Sequence, residues 1–305
     1  MIDNEGESMS EFKEYQYIER LGSDEVEGIL EGKCYIFPKI DGTNASVWLG
    51  DDRALCAGSR TRELSLESDN AGFYRWVQEN KELFSFLELE PQLRIYGEWL
   101  VPHTLRTYRE EAWRQFYVFD VYDTSAEIYL PYENYVKIIT GLPVIAPIEF
   151  VENATLEHLH KLLDRNTYLI ADGNGSGEGI VIKRYDYVNR YGRTTWAKMV
   201  RNEFKERNLK EFGTPTVEMN TPLEQTVAIE YVTKARVAKA LDKMRDAGPV
   251  TSRRIPELLG RIWNEIIADE MWNIVKTRKN PTIDFRALNR AVIAQTKANC
   301  PELFG

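Results

Sequence analysis

The chain has 305 residues, 43% hydrophobic and 29% charged, the balance of a soluble globular protein long enough for one large domain and a smaller one. No apolar run reaches the roughly 18 residues of a membrane span, and the N-terminus carries no signal-peptide pattern, so the expected setting is the cytoplasm and no membrane partner is expected. Three cysteines, Cys34, Cys56 and Cys300, lack zinc spacing and predict reduced thiols; three histidines make a histidine-built metal site a poor fit, and carboxylate-bound magnesium stays open.

The net charge of −9 argues against a polyanionic partner for the chain as a whole, but its distribution points the other way. Between Lys183 and Lys210 there are nine basic against three acidic residues, and from Thr221 onward fourteen against ten. A basic final third on an acidic protein suits one-sided contact with a nucleic acid, although a solvated helical face has the same composition.

Residues Met1 to Ser8 are polar and acidic and predict a disordered start, with Met9 as an alternative first residue. Cys34 to Trp48 then alternates apolar and polar residues around Asp41-Gly42, which predicts two half-buried strands joined as a hairpin, with Ile36, Ile40, Val47 and Trp48 in the core. Lys39, just before the turn, would stand on the floor of a pocket. An amine attacks only when neutral, and its ordinary pKa of about 10.4 leaves it protonated at neutral pH. A nucleophilic Lys39 therefore calls for burial or a neighbouring cation to lower it. A surface lysine entering a turn has the same local pattern.

Ala54 to Arg62 predicts another short strand ending in Arg60 and Arg62, side chains suited to phosphate. From Ala71 to Leu87 the apolar spacing of Phe73, Trp76, Val77, Leu83, Phe84 and Leu87 predicts helices packed on a sheet. Leu93 to Leu100 reads as a strand with Glu98 embedded in it, costly unless that carboxylate has a partner. Phe116 to Asp123 is an aromatic-rich strand. The Gly-rich loop Asp172 to Gly177 leads into Glu178-Gly179-Ile180-Val181-Ile182-Lys183, a strand with a carboxylate at its start and an amine at its end, and Thr195 to Arg201 offers a last strand with Lys198 inside it.

Glu211 to Pro222 reads as a linker. Thr221-Pro222-Leu223-Glu224 has the form of a capping box, predicting a helix that carries Val227, Tyr231, Ala235 and Leu241 and ends near Gly248-Pro249. A second helix is expected from Pro256 through Ile267, and Asp284 could cap a third bearing Leu288, Val292 and Ile293. The expected fold is α+β: a catalytic domain over residues 9–213, a linker over 214–222 and a small all-α domain over 223–305.

Lys-x-Asp-Gly at Lys39, Ser-Arg-Thr at Ser59, Tyr-Gly-Glu at Tyr96, Phe-Asp at Phe119, Glu-Gly-Ile-Val-Ile-Lys at Glu178 and the Lys198 strand follow one another in order. This ordered set resembles the covalent nucleotidyltransferases, among them the ATP-dependent polynucleotide ligases and most closely the bacteriophage-type RNA ligase 2 family. It spans about two thirds of the chain, and the helical tail is similar to that family's second domain. The resemblance implies an adenylation domain of antiparallel sheets flanked by helices. It implies ATP and Mg2+ (or Mn2+) as cofactors, and as partner an RNA with 5′-phosphate and 3′-hydroxyl ends, duplex or nicked, sealed by a monomer through lysine-AMP and an adenylated RNA end.

Carried over residue by residue, Lys39 is the nucleophile. Lys183 and Lys198 are the cations beside it and beside the phosphates. Glu178 and Glu98 are the metal carboxylates, Arg60 contacts sugar or phosphate, Phe119 stacks on adenine, and Asp41 holds the motif near the nucleotide. Asn44 and Arg201 contact RNA. Two positions depart from the pattern. Pro38 stands where many relatives carry a side chain able to read the base, which leaves ATP against GTP open. In Lys198-Met199-Val200-Arg201 the usual second lysine is replaced, and alternation would turn Arg201 to the other face. His103, Arg106 and Arg109 suit either RNA contact or a solvated loop; Arg253, Arg254, Arg278 and Lys279 suit either a duplex backbone or solubility. A DNA ligase or a capping guanylyltransferase would share the chemistry, but each would be expected to carry a β-barrel where this tail reads helical. An inactive RNA-binding relative would not need an amine nucleophile beside carboxylates.

Overall fold

The computed structural model describes residues 11–102, 108–200, 221–246 and 248–304, so Met9 with the expected disordered start, His103, Arg106, Arg201 and most of the expected linker lie outside the described residues. Two compact units are present, one with residues 11–101 and 108–200 and one with 221–304.

The first unit is built on two five-stranded sheets. One has the order β1-β10-β9-β2-β8, from β1 (Ile18–Arg20), β10 (Trp196–Val200), β9 (Gly179–Lys183), β2 (Lys33–Lys39) and β8 (Glu149–Glu152). The other has the order β4-β3-β5-β6-β7, from β4 (Leu55–Gly58), β3 (Thr43–Leu49), β5 (Leu93–Trp99), β6 (Phe116–Asp123) and β7 (Ile128–Tyr129). All pairings are antiparallel except β1 with β10.

The run Cys34 to Phe37 is buried on both faces, which is why β2 reads as continuous apolar sequence. Cys34 and Ile36 pack with Leu159, Leu162 and Leu163 of helix α3 (Leu156–Arg165), each leucine worth roughly 1.5–3 kcal/mol on burial. Tyr35 and Phe37 pack the other way, in one cluster with Tyr96, Tyr117 and Tyr122 of the second sheet. The far face of that sheet carries helices α1 (Phe73–Glu79) and α2 (Lys81–Leu89), with Phe73, Val77, Leu83 and Leu87 buried against it as their spacing predicts. The order is therefore helix, sheet, sheet, helix. Pro38 falls beyond the last β8 partner, where β2 is paired on one side only and a proline costs least.

The strands flanking Asp41-Gly42 do not form the expected hairpin. β2 pairs with β8 and β9, while β3 pairs with β4 and β5, so the turn carries the chain from one sheet to the other. A Cβ at Gly42 would come 2.5 Å from the Trp99 carbonyl and 2.8 Å from Glu98 Cγ, so this corner closes only with glycine.

Strand β6 contains a bulge: Asp120 pairs with Tyr96 and Val118 with Gly97, leaving Phe119 as the extra residue. Alternation is broken there, and Phe119 and Asp120 both serve the space between the sheets. Asp120, with no exposure, meets Lys183 at 2.8 Å across the sheets, and Lys183 Nζ also donates to the Phe119 carbonyl at 2.6 Å. Burial raises the Asp120 pKa against the pull of Lys183 and lowers that of Lys183 against the pull of Asp120, so each charge depends on the other. Tyr15 adds a 2.6 Å hydrogen bond to Asp120.

In the helical unit, Leu223–Tyr231 and Lys234–Asp246 stand where one helix was expected. Thr233 ends the first continuity, because its hydroxyl accepts the Arg236 amide and caps a fresh start. The capping box is not made: Pro222 is the N-cap without a side-chain bond, and Glu224 instead accepts the Asp284 amide at 2.9 Å. Asp284 does cap Phe285–Asn299, accepting from Arg286 and Ala287. Ile255–Glu265 is followed by a π-helical turn, Ile266–Glu270, which takes Glu270 to Arg236 at 2.9 Å, and then by Met271–Thr277. None of the described helices is long and apolar enough to cross a membrane.

Asp120→Ala strands the Lys183 charge and is expected to cost about 3–5 kcal/mol in urea unfolding, most of it regained when Lys183 is also made Met. An unchanged midpoint for Asp120→Ala would show that the pair carries no weight in the fold.

Candidate active site

Register fixes how the site residues are displayed. In the first sheet Lys39 lies opposite Gly179, Phe37 opposite Val181, and Val181 opposite Lys198. Tyr35 lies opposite Lys183. Directly opposed residues share a face and alternate residues along a strand share one too, so Lys39, Lys183 and Lys198 all face the second sheet. On that sheet Asn44 lies opposite Glu98, two residues from inward-packed Tyr96.

Between the sheets is an open cleft lined by Lys39, Pro38, Asn44, Arg60, Glu98, Phe119 and Lys183 together with Tyr15, Ile18 and Ile145. Arg60 enters it from just past β4. Lys39 Nζ meets Glu178 Oε2 at 2.6 Å, with the lysine side chain a quarter exposed. Glu98 Oε1 accepts the Gly42 amide at 2.8 Å, which answers the cost of placing a carboxylate inside a strand. Asp41 is buried, and its amide donates to the Tyr108 hydroxyl at 2.7 Å. Lys198 is buried with its Nζ 4.9 Å from the centre of the Tyr17 ring. Phe119 presents its ring to the cleft beside Tyr15, centroids 4.9 Å apart.

The electrostatics correct one expectation. Burial pulls the Lys39 amine down, but Glu178, Glu98 and Asp41 together overcome it and leave the pKa well above the ordinary lysine value. The nearest charge is a carboxylate where a cation was expected. Lys183 is spent on Asp120, and the Lys198 amine lies over an aromatic ring. Without nucleotide, Lys39 is a protonated counter-ion to its own carboxylates.

No group of three or more metal-ligating side chains is preformed among the described residues. Glu178 and Glu98 still suit a hard divalent cation, because magnesium binds through one or two carboxylates and completes its shell with water and phosphate oxygens. The exposed Arg109 lies 3.6 Å from Glu111. Arg254 bonds Glu257 and the carbonyls of Met244 and Gly248, and Arg278 pairs with Glu230, so both serve their own unit.

Asp120, Tyr15 and Tyr108 were not singled out as site residues from sequence. Asp120 offered a signal, an acid inside an aromatic strand, but the bulge that turns it inward depends on pairing. The two tyrosines looked like any other of the chain's sixteen.

The RNA ligase family model matches residues 32–200, more than half of the chain, and the chain belongs to that family. Among solved structures it is similar to Naegleria gruberi RNA ligase with PPi, at 22% identity and a TM-score of 0.50 over 68% of this chain and 63% of that one. A mutant of the same ligase with AMP and Mn matches at 22% identity and 0.50 over 66% and 61%. These likenesses support the fold, and the chain spans about three fifths of the length of the structures it matches. No curated protein matches the sequence.

Replacing Glu178 by Gln removes the strongest of the groups that raise Lys39, so the amine's pKa is expected to fall. NMR titration of 13C-dimethylated protein, with the Lys39 signal assigned by its loss in Lys39→Arg, reads this directly; an unmoved titration would mean that Glu178 does not control the amine.

Proposed function

We propose that the chain is an ATP-dependent RNA ligase that joins 5′-phosphate and 3′-hydroxyl RNA ends through a lysine-AMP intermediate, of the bacteriophage RNA ligase 2 type. The observation that carries this reading is Lys39 in contact with Glu178 in a cleft that also presents Glu98, Arg60, Phe119 and Lys183. ATP and Mn accompany relatives of this fold in solved structures.

In the first step neutral Lys39 Nζ attacks the α-phosphorus of ATP. A nitrogen–phosphorus bond forms, the bond from that phosphorus to the bridging oxygen breaks, pyrophosphate leaves, and the amine gives up a proton. Phe119 would stack on the base, Arg60 would bind sugar or phosphate, and Lys198 and Lys183 would offset phosphate charge. Glu178 and Glu98 would hold a divalent cation, which when bound supplies positive charge to the phosphates and relieves the hold of the carboxylates on Lys39. An oxygen of an RNA 5′-phosphate then attacks the AMP phosphorus, the nitrogen–phosphorus bond breaks and the lysine amine is returned; a neighbouring 3′-hydroxyl next attacks the RNA phosphorus, loses its proton, and expels AMP as the strand is sealed. Asn44 and Arg201 would contact that RNA, with a nick in a duplex as the preferred site. Residues 9–213 would act as the adenylation domain, 214–222 as linker and 223–305 as a helical domain, in a cytoplasmic monomer.

Protein incubated with Mg2+ and ATP labelled at the α-phosphate is expected to carry label through denaturation, and Lys39→Ala to carry none. Label from GTP in place of ATP would make the chain a guanylyltransferase, a live question with Pro38 in the wall of the cleft. An unlabelled wild-type protein would leave only RNA binding. Nicked duplex RNA is expected to be sealed faster than single-stranded RNA or nicked DNA.

A further inference from the structure

We infer that Tyr108 is a positioning residue for transfer to Lys39, its hydroxyl fixing the turn that carries Lys39 and Asp41 relative to Glu98 and Glu178. The inference rests on the proposed role of Lys39 as nucleophile.

Two successive amides of the turn are held from different directions. The Asp41 amide donates to the Tyr108 hydroxyl at 2.7 Å, and the Gly42 amide donates to Glu98 at 2.8 Å. Tyr108 is only 4% exposed and Asp41 6%, so water cannot readily replace the hydroxyl. The tyrosine ring stands edge-on to Trp113, centroids 5.3 Å apart. The backbone of Tyr108 bridges to Ile170, and the next amide, of Arg109, donates to the Leu169 carbonyl at 2.9 Å. That joins the tyrosine to the segment that leads to Glu178. Further along it, Asn166 accepts the Gly177 amide on its carbonyl and donates through its side chain to the Gly179 carbonyl, so the glutamate is held between two bonds to one residue.

Tyr108 thus joins the stretch of Lys39 to the one that leads to Glu178, while the adjacent Gly42 amide ties the same turn to Glu98. Its hydroxyl stays neutral: burial first, then the charges of Asp41 and Glu178, raise its pKa well above the ordinary tyrosine value. A neutral hydroxyl at that point is a fixed acceptor that adds no charge to a cleft meant for polyphosphate. In-line attack on phosphorus tolerates little displacement, so loss of this acceptor is felt in the rate more than in nucleotide binding.

The test is single-turnover labelling of wild-type and Tyr108→Phe proteins from α-labelled ATP at saturating Mg2+, over a range of ATP concentrations, with thermal midpoints measured alongside. The maximal rate constant is expected to fall about tenfold, as for one buried amide left without its acceptor, while the ATP concentration at half-maximal rate stays within about twofold. Trp113→Phe, which loosens the packing on the ring and keeps the hydroxyl, is expected to lower the midpoint and keep the rate. Equal rates for wild type and Tyr108→Phe overturn the inference, as does an equal slowing by Trp113→Phe, which would make packing the cause. A wild-type protein that takes no label overturns the enzymatic reading and the inference with it.

Discussion

The Lys39 amine, which the proposed transfer requires neutral, stands in the field of three carboxylates that favour its charged form. The contact of Lys39 with Glu178, reinforced by Glu98 and Asp41, sets the protonated state of the cleft before nucleotide enters. On the proposed reading this is a safeguard as much as a cost. On that reading the ammonium holds Glu178 until phosphates and a divalent cation bring competing charge. The same acids would then turn from anchors of the lysine into ligands of the ion.

The two sheets divide the labour of holding that arrangement. The first displays three lysines on one face, and the second supplies Glu98, Asn44 and the Phe119 ring from the other side. Lys183 with Asp120 bridges the gap where no water can screen it, and Tyr15 hydrogen-bonds to the same carboxylate. A buried pair of this kind adds little net stability but penalises any slip of one sheet against the other, since a slip would leave two charges unpaired.

Much of this was legible before any coordinates. Strand and helix positions follow from apolar spacing, and the acid within β5 announces a partner because an unpaired carboxylate there would be too costly. What could not be read are choices made by residues far apart in the chain. Asp41-Gly42 looks like a hairpin turn locally, and only the pairing of β2 with β9 and of β3 with β5 makes it a passage between sheets. The inward turn of Asp120 depends on one unpaired residue, Phe119, which alternation alone would misplace. Thr233 breaks a helix whose apolar repeat runs on without interruption, because one hydroxyl offers the backbone a better partner. The roles given to the site residues came from resemblance; the spacing of motifs in one dimension contains no trace of the shared sheet face that brings three lysines together.

The bulge in β6 has a consequence for how this cleft can vary. A regular strand would give the interior either an aromatic ring or an acid at neighbouring positions, never both. One surplus residue lets adjacent side chains work side by side, Phe119 toward the cleft and Asp120 toward Lys183. Deleting Phe119 would restore the pleat, with Val118 and Asp120 as successive partners of Gly97 and Tyr96, and leave the rest of the strand on its present faces. Evolution can therefore exchange the ring or the acid singly, but their adjacency is inherited as a length, and a one-codon loss at Phe119 would leave the acid inside with no ring beside it.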